Sequence, residues 1–303
     1  MKPGGSAAGY PADCGCLENA IFCFFEQSAN QDYTETVHIP IPYKEFIMTQ
    51  FGFRTGGFTN LTAEQAAAEL ARLGYDALEL CLESPDVRPE ALDEARCRDL
   101  RHTFDSLGIG IASVSYHEDA EPLPARRANQ ERAIRVAQWL GVGILVLNTE
   151  RETERARQWA EHVAHFRQLA ALAAEAGVML AVEPEPLLVV GSSQDMVEML
   201  AAVDSPHLGV NLDVGHAYLT DDDLAASVRR LGRSIVHLHL EDMQARVHRH
   251  LLFGEGDIDF AALRAALAEI GYRGPYVADL FKLGDDPSGV AAQALAGLHQ
   301  LFG

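Results

Sequence analysis

The sequence predicts a (β/α)8 barrel, and three observations carry that expectation. From Met48 onward, a short apolar or β-branched run alternates eight times with a longer Ala/Leu/Arg-rich segment of helical period. Gly74, Gly108, Gly141, Gly177 and Gly271 each fall between a helical segment and the next strand, where a left-handed closing residue is wanted. No GxGxxG follows the first strand, which makes a doubly wound sheet the weaker alternative. Eight β/α units with short returns suit a closed parallel barrel.

The first unit pairs QFGFR at 50–54 with a helix near 62–73, whose Thr62-Ala-Glu-Gln start is a capping-box pattern. ALELCL at 77–82 precedes a helix at 89–107, and IGIASVS at 109–115 one at 125–140. GILVLN at 143–148 is followed by a helix at 153–176, and VMLAVE at 178–183 by one at 193–203. LGVNLD at 208–213 leads to 221–231, SIVHLH at 234–239 to 259–270, and PYVAD at 275–279 to 287–301.

Residues 1–47 read differently. They hold two of the three lysines and no arginine, whereas 48–303 hold every arginine and only Lys282. They also lack sustained periodicity, so they are expected to form a peripheral extension or an upstream start, with the barrel spanning 48–303. A formal net charge of −20 opposes binding to a nucleic-acid backbone or an anionic membrane. No apolar run approaches the roughly 20 residues that cross a bilayer, and MKPGGSAAGY is not followed by a signal-like apolar core. Five cysteines without a CxxC spacing suit a reducing cytoplasm.

In such a barrel, chemistry sits where the strands end. The fifth to eighth strands close on Glu183, Asp213, His239 and Asp279, four consecutive metal-capable residues. Period two places Glu183 on one face with Ala181, Asp213 with Asn211, and His239 with His237, so all four can point inward. Buried carboxylates without a cation are costly, and a mixed carboxylate and imidazole set suits Mn²⁺, Mg²⁺, Co²⁺, Fe²⁺ or Zn²⁺.

The motifs AVEPEP, NLDVGHAY, VHLHLEDM and FGEGDIDF, followed by GYRGPYV, resemble those of the xylose-isomerase-like sugar isomerases and epimerases. That superfamily includes endonuclease IV, and the resemblance covers residues 48–303. It implies a TIM barrel in which Glu183, Asp213 and His239 hold a divalent metal and His216 lines the site. It also implies that the fourth ligand, usually glutamate, is Asp279, one methylene shorter. In the ketose epimerases of this family the fifth- and eighth-strand carboxylates form the acid/base pair, here Glu183 and Asp279, and His216 is a further candidate base. His248-Arg249-His250 stands where endonuclease IV has an Asp-Arg-His triplet that ligates an additional metal. This leaves open a second ion, substrate contacts or a solvated lid.

His117, Asn148 and Glu185 are further candidates for substrate contact, Glu185 equally a structural one. Arg246 and Arg249 suit a phosphate or carboxylate clamp, or plain exposure. Glu79 and Glu83 suit sugar hydroxyls or ion pairing, and His237 reads as a buried, hydrogen-bonded neighbour of His239. The leading expectation is a metal-dependent isomerase or epimerase of a sugar, sugar phosphate or cyclitol, acting by proton abstraction beside a carbonyl polarised by the metal. A dehydratase or lyase on a keto-inositol-like substrate uses the same first step. A non-catalytic metabolite-binding or subunit protein and an endonuclease IV-like hydrolase are the other readings. A homo-oligomer is open.

Overall fold

In the computed structural model, eight parallel strands close on themselves, each bonded to the next in chain order and the last to the first. Residues 50–118, 121–281 and 284–303 are described. The expected extension at 1–47 lies outside them. The strands are β1 (Phe51–Arg54), β2 (Ala77–Cys81), β3 (Gly110–Tyr116), β4 (Ile144–Leu147), β5 (Met179–Val182), β6 (Leu208–Asp213), β7 (Ile235–Leu240) and β8 (Tyr276–Ala278). The intervening helices are α1 (Ala63–Leu73), α2 (Glu94–Leu107), α3 (Leu123–Leu140), α4 (Arg155–Ala176), α5 (Ser193–Val203), α6 (Val214–Thr220), α7 (Leu224–Leu231), α8 (Phe260–Ile270) and α9 (Pro287–Phe302).

Alternation along the strands separates two environments. Leu78 and Leu80 of β2, Leu180 and Val182 of β5, and Val210 and Leu212 of β6 belong to the apolar layer shared with the helices. The residues between them, Glu79, Ala181 and Asn211, are also buried but are small or polar. Polar groups thus collect along the barrel axis, and the site is built from them. The register against the neighbouring strand shifts at Leu78/Glu79 and again at Val210/Asn211. Each irregularity lies next to a polar axial residue, where such shifts re-aim a side chain.

The helix boundaries follow local chemistry. Thr62 accepts from the backbone N–H of Gln65, whose side chain accepts from that of Thr62, so the capping box is formed. The five flagged glycines all adopt positive φ at helix ends. Two expectations are corrected. The helix expected at 89–107 is a single 3-10 turn at Pro89–Ala91, an extended Leu92, and then α2, because Asp93 caps the later start by accepting from Arg96 N. The helix expected at 221–231 begins at Leu224 behind an Asp223 cap, and α6 precedes it. Its residues Val214–Ala217 are all buried, so α6 has no amphipathic period to reveal it. Among the described residues no helix is long and apolar enough to cross a membrane.

Two histidines of α4 are buried behind the barrel, and His165 Nε2 lies 2.8 Å from Gln130 Oε1 of α3. Burial, aided by Arg126 and Arg127, lowers His162 to about 3 and His165 to about 4. Both stay neutral in the fold while the unfolded chain takes up protons below about pH 6.5. Their contribution is therefore complete above pH 6.5 and lost as pH falls towards the folded values. Urea midpoints measured from pH 7 to 4.5 are expected to fall, and to fall less in a His162→Gln/His165→Gln variant; equal slopes would contradict this account.

Candidate metal centre and active site

The ends of β5 to β8 bring the four strand-end residues together. Glu183 Oε2, Asp279 Oδ2 and Asp213 Oδ2 lie 3.0, 3.7 and 4.0 Å from His239 Nδ1. The other ring nitrogen, Nε2, stands 3.0 Å from Glu79 Oε2, a carboxylate that can only accept. Burial opposes charge on this ring, but Glu79 and Glu183 outweigh it and hold its pKa well above the ordinary value; Nδ1 is the nitrogen turned to the strand-end carboxylates, the one that would meet a cation on losing its proton. Asn211 Nδ2 donates to Glu183 Oε2 at 2.6 Å and faces His239 Nδ1 at 2.9 Å. Asp213 Oδ2 is buried and has no hydrogen-bond partner. One ligand atom each from Glu183, Asp213 and His239 falls within a 4.8 Å set, and another such set joins Asp213, His250 and Asp279. An unpartnered carboxylate oxygen among acceptors fits a divalent cation.

Three further groups, of which Glu79 takes up the ion pairing expected of it, complete the electrostatics. Arg54, at the end of β1, donates from Nε to Glu79 Oε1 at 2.7 Å and from Nη1 to Asp279 Oδ2 at 2.8 Å. Its Nη2 lies 2.9 Å from His117 Nδ1. Burial resists ionising Asp279, but Arg54 outweighs it and holds the carboxyl below its ordinary range. Glu79 is the second group, a buried brace for both Arg54 and His239. Glu241 is the third. Burial, with Asp213 and Asp279 adding to it, pushes its pKa well up, so it stays neutral beside Asp213. Its Oε1 accepts from Gly215 N at 2.6 Å, and a Cβ on Gly215 would strike both Glu241 and Met243.

A cavity of about 450 Å³ opens over this floor. Glu183, Asp279, His216, His117, Asn148, Glu185, His248 and His250 line it, together with Arg54, Glu83 and an apolar side made by Phe58, Leu61 and Phe281. His216 reaches the site because Asp213 caps α6, accepting from His216 N at 2.7 Å. Burial disfavours charge on its ring, but Asp213 and Glu183 prevail and raise it to about 9. Its Nδ1 stands 3.2 Å from Glu183 Oε1. Asn148 Nδ2 donates to Glu185 at 2.9 Å, tying two expected contact residues to each other.

The loop between β7 and α8 carries the remaining histidines. Asp242 organises it, accepting from Met243 and Ile258 N with Oδ1 and from Gly254 and Gly256 N with Oδ2. A side chain at Gly256 would strike Asp242 and the Met243 carbonyl. The loop returns through a bridge between Asp242 and Leu251, bringing His248 Nε2 to 3.1 Å from His216 Nε2 and His250 Nδ1 to 2.6 Å from the Asp279 carbonyl. One nitrogen each from His216, His248 and His250 also falls within a 4.8 Å set. Of the two readings open for the arginines, Arg249 shows the second, exposed and outside the cavity lining, and Arg246 donates to the Asp221 carbonyl and lies over the Tyr218 ring. His237 is buried as expected, between Asn211 Oδ1 and Ser113 Oγ.

Residues 67–301 match the family model for the xylose-isomerase-like TIM barrel. The chain belongs to that family. It is 28% identical over 245 residues to the L-ribulose 3-epimerase of Methylomonas sp. strain DH-1, covering 75% of this chain and 81% of that one. Among solved structures it resembles a D-allulose 3-epimerase from Methylomonas sp., with a TM-score of 0.71 at 22% identity over 84% of this chain and 98% of that chain. It also resembles the IOLI protein with a bound zinc atom, with a TM-score of 0.70 at 20% identity over 84% and 98%.

Glu183→Gln and Asp213→Asn are each expected to weaken divalent-metal binding at least about 10- to 100-fold, the loss that even outer partners of a ligand produce. Elemental analysis after dialysis checks this, and full metal content in both variants would remove the centre.

Proposed function

We propose that the protein is a divalent-metal-dependent isomerase or epimerase of a sugar or cyclitol, acting on a carbon next to a carbonyl. The observation that carries this reading is the convergence of Glu183, Asp213, His239 and Asp279 beneath a cavity of about 450 Å³ lined by hydrogen-bonding side chains. The L-ribulose 3-epimerase relative supports the reaction class, and the zinc atom bound by the IOLI protein supports a divalent metal. A divalent ion held by these four residues would supply Lewis-acid stabilisation of the negative charge that develops on substrate oxygen.

The chain's own groups have distinct parts. Glu183 takes the proton, its carboxylate oriented by Asn211, His239 and protonated His216. Asp279, shared with Arg54, is an acceptor and serves as ligand. The Nε2 atoms of His117 and His250 have no hydrogen-bond partner and border the cavity, placing them to meet substrate hydroxyls. His216, His248 and His250 all line the cavity, so we assign this set to the substrate side of the site.

Metal-loaded protein incubated in D2O with ketoses, aldoses, their phosphates and inososes is expected to place deuterium on one carbon beside the carbonyl. Mass spectrometry separates the alternatives. A product retaining all its oxygen indicates isomerisation or epimerisation, whereas loss of water indicates the dehydratase course. No incorporation from any of these substrates with metal bound would end the reading.

A further inference from the structure

Inverting a carbon beside a carbonyl needs a proton-handling group on each face. Glu183 supplies one, and at Asp279 one of the two carboxyl oxygens is committed to Arg54. Its Oδ2 accepts from Arg54 at 2.8 Å, and a guanidinium, which has only donors, keeps that oxygen an acceptor.

Glu83 offers a carboxyl group outside the strand-end set. It stands two residues beyond β2 and borders the same cavity as Glu183. Its Oε1 is fixed by the backbone N–H of His117, while Oε2 is shielded from water and has no hydrogen-bond partner. His117 stands between the two carboxyls, with Nδ1 3.7 Å from Glu83 Oε1 and Nε2 3.5 Å from Glu183 Oε2. Because Arg54 donates to Nδ1 at 2.9 Å, the ring proton is on Nε2, and the imidazole does not pair with Glu83 as a cation. Arg54 from β1, Glu79 and Cys81 from β2, and His117 after β3 are the charged or titratable groups around Glu83. Burial, only partly offset by Arg54, pushes its carboxyl up to about 7. A group in that range both gives and takes protons at neutral pH.

We propose that Glu83 is the second acid/base residue of this site, serving the substrate face opposite Glu183. The assignment rests on the isomerase or epimerase reading above. Glu183 takes the proton as the C–H electron pair becomes the C=C bond of an enediolate. The Glu83 carboxylic acid then gives its proton to the other face of that carbon as the C=C pair forms the new C–H bond and the carbonyl is restored. Glu183 ends protonated and Glu83 ionised, and both reset by exchange with water. No oxidant or reductant is needed.

The test is Glu83→Gln in metal-loaded protein, since the amide keeps an oxygen for the His117 N–H. With the substrate found by deuterium exchange, kcat is expected to fall at least about 100-fold while KM and bound metal stay near their original values. Deuterium should still enter from the epimer whose proton Glu183 removes, and from that epimer alone, and Glu83→Asp should recover part of the rate. A kcat within about threefold of the original, with or without a raised KM, would reduce Glu83 to a hydroxyl-binding group. Loss of metal or of folding in both variants would make it structural. Each result overturns the assignment and leaves the reaction class standing. Absence of exchange in the unsubstituted protein is a different failure, which takes down the reaction class and the role of Glu83 with it.

Discussion

Glu79, Glu183, Asp213, Glu241 and Asp279 are all buried at one end of a barrel, and such an arrangement persists only if positive charge or protons stand among them. Arg54 answers for Glu79 and Asp279 through two ion pairs. Protonated His216 answers for Glu183 and Asp213, and Glu241 escapes the problem by remaining neutral. What is left is Asp213 Oδ2, buried with no hydrogen-bond partner, 4.0 Å from His239 Nδ1. The demand for a cation is therefore local, and it falls where the four strand ends meet.

The fold meets this constraint with simple devices. Parallel closure sends each strand end to the same mouth, and the two register shifts lie beside Glu79 and Asn211, the axial residues that brace His239 and Glu183. Asp213 both faces His239 and caps α6, so one side chain sets the site floor and the position of His216. Asp242, one residue past Glu241, gathers four loop amides and fixes the segment that carries His248 and His250. Strand, short helix and loop are each tied to the site by a carboxylate of its own.

Much of this was legible in the sequence, because the signals are local. An apolar run ending in Glu, Asp or His marks its own strand end, and a glycine between helix and strand marks its own turn. Arg54 carried no such mark. Its partners lie 25 and 225 residues away, and an arginine ending a first strand looks like any turn residue until the barrel closes. Glu241 was hidden beside His239 in HLHLED, since its neutrality depends on Asp213 and Asp279. Of the two readings open for Arg249, clamp or plain exposure, the fold gives exposure: His248 and His250 line the cavity while the arginine between them stands in solvent.

The most direct test of the central claim, that this carboxylate cluster is built around a cation, is an anomalous-diffraction map of crystals loaded with Mn²⁺. The account predicts a peak about 2.0–2.6 Å from oxygens of Glu183 and Asp213 and from His239 Nδ1, with Arg54 still bonded to Asp279. A map with no peak there, or with one only among His216, His248 and His250, would contradict it.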